Sequence, residues 1–239
     1  MLANISHAPA CSGSFNADLH LPFESLYKII EFIKSELPQW RDHPDRKKET
    51  SETPLTSQLC AHLNSAARRC DGWDILQFRT EERDDKDAVR NIDLVPAPCN
   101  TNIWINGRRH VDFDYLMPIE CKRLPTPKRK DRDEREYVIS QYSSTGGIQR
   151  FKAGHHGANY QLGAIIGYVQ SETRAFWSKK VKEWIEKLVK DKKKGWSTKD
   201  FLKPESDDVA LKLSTLSSCH ERDGKLPEIE LRHLWIEMN

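Results

Sequence analysis

A glutamate and a lysine one residue apart, Glu120 and Lys122, sit in an apolar setting in Met117-Pro118-Ile119-Glu120-Cys121-Lys122-Arg123-Leu124. In an extended chain, residues i and i+2 point to one face. The carboxylate and the ammonium therefore lie side by side, while Ile119 and Cys121 turn the other way. A carboxylate can hold a divalent cation, and a neighbouring lysine can orient or activate water and offset phosphate charge. That pairing suits hydrolysis of a phosphodiester. One carboxylate holds Mg²⁺ poorly, so a second acid is expected from a neighbouring strand. Asp93 is a lone acid within Arg90-Asn91-Ile92-Asp93-Leu94-Val95, 27 residues before Glu120, with room for a hairpin between them. Asp112 and Asp114 lie eight and six residues before Glu120, too close for an adjacent strand. Glu52 lies in line with Leu55, Leu59 and Leu63 at helical spacing. A carboxylate on such a buried stripe needs a partner, and a metal site would supply one.

These residues need elements to position them. Leu26, Ile29, Ile30, Ile33 and Leu37 recur at helical spacing and predict an amphipathic helix over Pro22–Leu37, preceded by a loose arm over residues 1–20. Residues 41–51 read as a charged linker. A second helix is expected to begin near Thr53-Pro54, where a capping hydroxyl and a first-turn proline coincide. The period then changes. Residues 74–78 and 91–95 are short extended segments, and Ile103–Ile105 joins a hairpin closed near Asn106-Gly107. Phe113–Cys121 is expected as a buried strand. A helix over about Glu136–Phe151, a glycine-containing strand over Gly163–Val169, and a long helix bearing Trp177, Val181, Trp184, Ile185 and Leu188 follow. A polar region precedes a last strand, Ile229–Ile236. This order predicts an α/β fold with a mixed central sheet flanked by helices.

The bulk composition sets bounds on function. The 239 residues suffice for one good core, and the charged share of 31% against 37% hydrophobic suggests long polar loops. No apolar run approaches the ~18 residues of a membrane span, and no basic n-region with an apolar stretch opens the chain. A cytoplasmic protein with no membrane association is expected. The six cysteines form no C-x-x-C pair and read as reduced structural thiols. A net charge of +2 does not announce a nucleic-acid binder, but its distribution points that way. Lys122, Arg123, Lys128, Arg129 and Lys130 form one basic cluster, and Lys187, Lys190, Lys192, Lys193 and Lys194 form another.

An acid on an early helix, an aspartate on one strand and Glu-x-Lys on the next resembles the PD-(D/E)XK nuclease superfamily, over roughly residues 50–170. The superfamily's proline before the aspartate is absent here, since Asn91-Ile92 fill those places. The resemblance implies a restriction-endonuclease-like core within a domain over 51–239, with residues 1–50 as an arm and helix packed on it. It makes Asp93 and Glu120 ligands of Mg²⁺, with Mn²⁺ as substitute, and Lys122 the catalytic lysine. Glu52 matches the helix acid more loosely. In such proteins the helix after the Glu-x-Lys strand often faces the site, which makes Gln149 and Arg150 substrate-binding candidates beside Arg123 and Lys128. The implied activity is endonucleolytic cleavage of DNA, in preference to RNA, in prokaryotic defence or restriction, by a standalone protein, with a homodimer or a partner protein of a multi-gene system as further options. The alternative is an inactive module of this fold that binds nucleic acid or a partner. His155-His156 makes a poor metal pair, because adjacent histidines diverge and no third ligand stands out. Ser217–Arg222 resembles a Ser-x-His-x-Arg pattern of small bacterial members, and His220 and Arg222 stay outside the candidate set. A plain reading remains beside all this: a surface Glu–Lys pair on an exposed strand.

Overall fold

In a computed structural model the chain is described at residues 24–84, 90–142, 146–222 and 224–239. The elements run α1 (Glu24–Arg41), α2 (Glu52–Arg69), β1 (Leu76–Arg83), β2 (Asn91–Pro98), β3 (Ile103–Ile105), β4 (Arg108–His110) and β5 (Ile119–Leu124). After these come α3 (Gly147–Lys152), β6 (Leu162–Val169), α4 (Arg174–Lys190), β7 (Lys203–Asp208), β8 (Leu213–His220) and β9 (Ile229–Glu237). Seven strands form one mixed sheet in the order β1-β2-β5-β6-β9-β8-β7, and β3-β4 make a separate hairpin. β5, β6 and β9 run parallel at its centre, and the outer pairs are antiparallel.

Each face of this sheet is covered because the central strands are apolar on both sides. Every residue of β6 is buried. The stripes of α1 and α2 cover one face, packing Ile33, Leu37, Leu55 and Leu59 into a cluster with Ile119, Cys121, Ala164 and Ile166. The other face meets α3 and α4, where Ile148, Phe151, Trp177 and Ile185 pack with Ile165, Leu231 and Trp235. On β6 a side chain at Gly167 would bring its Cβ within 2.5 Å of the Trp235 indole, so only glycine leaves that ring its place.

Several expectations need correction. The first helix runs through Pro38 to Arg41. The arm over residues 1–20 lies outside the described residues. The second helix starts at Glu52, and its N-cap is Ser51, whose side chain makes no capping bond. The expected strand over Phe113–Cys121 shrinks to Ile119–Leu124. Phe113 is 90% exposed, and the Asp114 carboxylate accepts from Val111 N–H at 2.8 Å, fixing a turn instead. The helix expected over Glu136–Phe151 is only Gly147–Lys152. The carbonyls of Glu136, Tyr137 and Val138 accept from the N–H groups of Gly147, Ile148 and Gln149. That earlier segment caps the helix and does not extend it. The polar region before the last strand holds β7 and β8. Finally, Cys70 is disulfide-bonded, while Cys60, Cys99, Cys121 and Cys219 are free, so the reading of six reduced thiols fails at Cys70.

Candidate active site

Period-2 alternation on β5 works as the sequence implies. Ile119 and Cys121 enter the core beneath α1 and α2. Glu120 and Lys122 take the opposite face and are 0% and 5% exposed. The plain reading of an exposed Glu–Lys pair is thereby overturned. Asp93 arrives from β2, which pairs with β5 through Leu94 and Ile119. Glu52 arrives from the first turn of α2. Lys122 Nζ lies 2.7 Å from Glu120 Oε1, 3.3 Å from Glu52 Oε1 and 3.9 Å from Asp93 Oδ2. Three carboxylates from three elements thus surround one ammonium. Backbone donors fix two of them: Cys121 N–H bonds Asp93 Oδ2 at 2.7 Å and Arg123 N–H bonds Glu52 Oε2 at 3.2 Å.

α3 closes the site from the other side. Its first turn approaches β5 so nearly that a Cβ on Gly147 would stand 2.8 Å from Tyr137 O and 3.5 Å from the Lys122 side chain. A Cβ on Gly146 would meet the Ile139 backbone at 2.4 Å. The paired glycines are there because the backbones are that close. From this helix Arg150 Nη1 donates to Glu120 Oε1 at 2.6 Å. Gln149 is placed differently from expectation: its Oε1 accepts from Ser140 N–H and Gly146 N–H and so ties a turn together. Arg123 reaches the site but its guanidinium donates to Thr50 O, pinning the entry of α2. Lys128 stands apart on an exposed groove.

His156 belongs to the site although sequence reasoning set it aside. It is fully buried, with Nδ1 3.6 Å from Glu120 Oε2. Both its ring nitrogens, and Glu120 Oε2 itself, are buried without a hydrogen-bond partner among the described residues. Adjacent histidines do diverge here, but one of the two points inward. The faint signal was the flanking pair Gly154 and Gly157, both at positive φ, which fold the loop back under β5; a Cβ on Gly157 would stand 2.6 Å from Pro118.

The charges are strongly coupled. Burial pushes the Asp93 carboxyl up, the Glu120 charge adds to this and Lys122 partly offsets it, so that it titrates at about 8. Burial acts upward on Glu120 as well, but Lys122, Arg150 and His156 outweigh it and hold that carboxyl below its ordinary value. Burial works against the Lys122 charge, yet Glu120, Glu52 and Asp93 more than compensate and raise its pKa. Burial lowers His156, which keeps the ring neutral near pH 7 despite Glu120.

Among the described residues no group of three or more His, Cys, Asp or Glu side chains stands in a metal-holding arrangement. The geometry shows why: Lys122 occupies the middle of the acids. The donor set nevertheless fits a hard divalent cation. It offers carboxylate oxygens from two strands, and the unpartnered Glu120 Oε2 is a buried acceptor awaiting a donor or a cation.

Comparison with models of known protein families, with curated proteins and with solved structures finds no match to this chain. No described helix is long and apolar enough to cross a membrane.

Proposed function

We propose that this chain is a divalent-metal-dependent nuclease that hydrolyses DNA phosphodiester bonds with a PD-(D/E)XK type of site. The observation that carries the reading is the placement of Lys122 Nζ within 4 Å of carboxylates from α2, β2 and β5. Buried charge on this scale is costly to fold, and a structural role would be served as well by apolar side chains. Asp93 and Glu120 would hold Mg²⁺ or Mn²⁺. When bound, that ion supplies charge to stabilise the phosphate and orients the attacking water. With a cation held there, Lys122 and Arg150 no longer need to neutralise Glu120, and their N–H donors are free for phosphate oxygens as negative charge builds. Lys122 is best placed to orient water, because its ammonium also touches Cys121 O at 3.1 Å and so has a fixed direction. Asp93, whose carboxyl is raised to about 8, would have to be ionised to hold such an ion, which would couple affinity to pH. The setting that goes with this reading is prokaryotic defence or restriction in the cytoplasm, alone, as a homodimer or with a partner protein.

A plasmid-degradation assay with Mg²⁺, Mn²⁺ or EDTA, run beside Lys122→Ala, tests it. Cleavage by the parent in Mg²⁺ or Mn²⁺, none in EDTA and none by the variant is the expected result. DNA retained on a filter with no cleavage under any metal would replace this reading with the inactive binding module.

A further inference from the structure

A groove of about 780 Å³ opens directly where β5 ends, its wall starting at Thr126. Residues of both basic clusters, far apart in sequence, line it: Lys128, Arg129 and Lys130 from the first and Lys187 of α4 from the second. A second groove of about 560 Å³ continues from it, sharing Arg135, Gln141 and Tyr142, and is bounded by Gln149 and Lys193. Gln149 precedes Arg150, so the far wall is the same short helix that closes the active site.

Charge and shape along this path are specific. Arg132 and Arg135 are paired with Glu136 and Asp133. Lys128, Arg129, Lys130, Lys187 and Lys193 form no ion pair with a described residue. Five such cations along the two grooves, against Glu134 as an acid in the lining, suit a chain of phosphates. Charge alone does not account for Tyr142, whose ring is 56% exposed on the rim shared by the two grooves. A duplex hides the faces of its bases, whereas a single strand offers them for stacking on such a ring. Arg129 and Arg132 also lie near enough to Arg123 to help burial lower its pKa, which ties the groove to the residue beside Lys122.

We infer that this groove is a track for single-stranded nucleic acid, with Tyr142 as a stacking platform and the Lys128–Lys130 and Lys187 walls holding the backbone. The inference rests on the nuclease reading only for the direction in which the strand is led, towards Glu120 and Lys122.

The test uses the full chain in EDTA, so that no cleavage occurs, and the fluorescence anisotropy of a labelled oligothymidylate of about 20 nucleotides beside a blunt duplex of equal length. The single strand is expected to bind roughly tenfold more tightly than the duplex. Tyr142→Ala should lose about tenfold on the single strand and little on the duplex, and Tyr142→Trp should restore binding. Lys128→Glu combined with Lys187→Glu should weaken binding and flatten its salt dependence. Unchanged melting temperatures would show that these exposed substitutions leave the fold intact. Equal affinity for both probes with Tyr142→Ala silent, or no binding by the parent, overturns the track. Cleavage of plasmid and of the labelled single strand in Mn²⁺ is scored separately: cleavage of either without the track leaves the nuclease reading standing, and the track with neither substrate cleaved sinks that reading alone.

Discussion

Two buried polar clusters share one side of the sheet, and α3 reaches both. Arg150 extends to Glu120 in the candidate site, and Lys152, two residues on, pairs with Asp200. The second cluster is a continuous chain. Trp235 Nε1–H donates to the Tyr137 hydroxyl at 2.7 Å, so the phenol proton goes to His233 Nδ1, also at 2.7 Å. His233 Nε2–H then donates to Ser218 Oγ at 2.8 Å, and that hydroxyl to His220 Nε2 at 2.6 Å. His220 Nδ1–H ends the chain on Asp200 Oδ1 at 2.6 Å. Ser218, His220 and Asp200 copy the order of a hydrolytic triad, yet Ser218 is only 2% exposed and its hydroxyl is committed at both ends. Each hydrogen along that line has an acceptor, Asp200 Oδ1 taking both the His220 and the Lys152 hydrogens, and both imidazoles are neutral, in keeping with burial, which lowers their pKa values. In the candidate site, by contrast, Glu120 Oε2, both nitrogens of His156 and Arg150 Nε have no hydrogen-bond partner among the described residues. A satisfied chain of this kind holds a fold together, whereas four such atoms gathered around one buried carboxylate suit a ligand.

The largest expected effect separates the two clusters by activity. Lys122→Ala should cut plasmid cleavage about 10²-fold or more while Mn²⁺ binding persists, and Glu120→Ala should abolish both. Titration calorimetry with Mn²⁺ beside the cleavage assay reads this directly; an active Lys122→Ala protein would remove the contrast altogether.

Ser218→Ala breaks the other cluster. It strands a donor on His233 and an acceptor on His220, each costing about 1–3 kcal/mol. Together that is about 2–6 kcal/mol, and at roughly 2–4 °C per kcal/mol the melting temperature should fall by about 4–24 °C. Cleavage measured well below that transition should stay within about threefold. A loss of cleavage matching Lys122→Ala would mean that the buried chain takes part in chemistry.

Asp93 sharpens the comparison through pH. Its folded-state pKa of about 8 lies above the ordinary 3.8, so the native state holds an extra proton between those values. The Asp93 contribution to metal-free stability should therefore be greatest below about pH 4, fall as pH rises from about 4 to about 8, and level off beyond, against the opposite trend of Glu120 and Asp200, whose lowered pKa values favour the fold at higher pH. Asp93→Asn keeps an acceptor for Cys121 N–H and should raise the melting temperature by a few degrees above pH 8, with no change below about pH 4. Equal gains at both pH values would show that Asp93 is not titrating as described.

The smallest effect concerns Arg150. Arg150→Gln removes a competing cation from Glu120 Oε1, so Mn²⁺ affinity should rise a few-fold while DNA affinity falls by a similar factor. Parallel loss of both would make Arg150 a structural tie like Lys152.

How far the sequence reached follows the same division. Asp93, Glu120, Lys122 and Glu52 were legible because helix and strand periods state which face a charged residue takes. The mixed sheet and its flanking helices were legible from apolar runs, although a restriction-endonuclease-like core is a finer statement than that pattern carries. His156 was hidden, since its place under Glu120 depends on a loop turn and not on a period. α3 was overextended because Asp133 accepts from the N–H groups of Arg135 and Gln141. Such side chain-to-backbone bonds hold 133–141 in turns where apolar spacing suggests helix. β7 went unseen because all six of its residues are exposed and it carries no apolar alternation.

That exposed strand has a consequence for how copies of the chain meet. β7 is one edge of the sheet, with Lys203, Pro204, Glu205, Asp207 and Asp208 along it and a break in register between Pro204 and Ser206. The other edge, β1, ends in Arg79, Glu81, Glu82 and Arg83, with Glu81 at a φ of 54°. Charge, proline and a kinked backbone are what keep open sheet edges from zipping onto one another. Both rims of this sheet are thus poor templates for strand addition, which protects the chain from edge-to-edge aggregation while it is concentrated or newly folded. A pair of these molecules would have to meet through helices or loops.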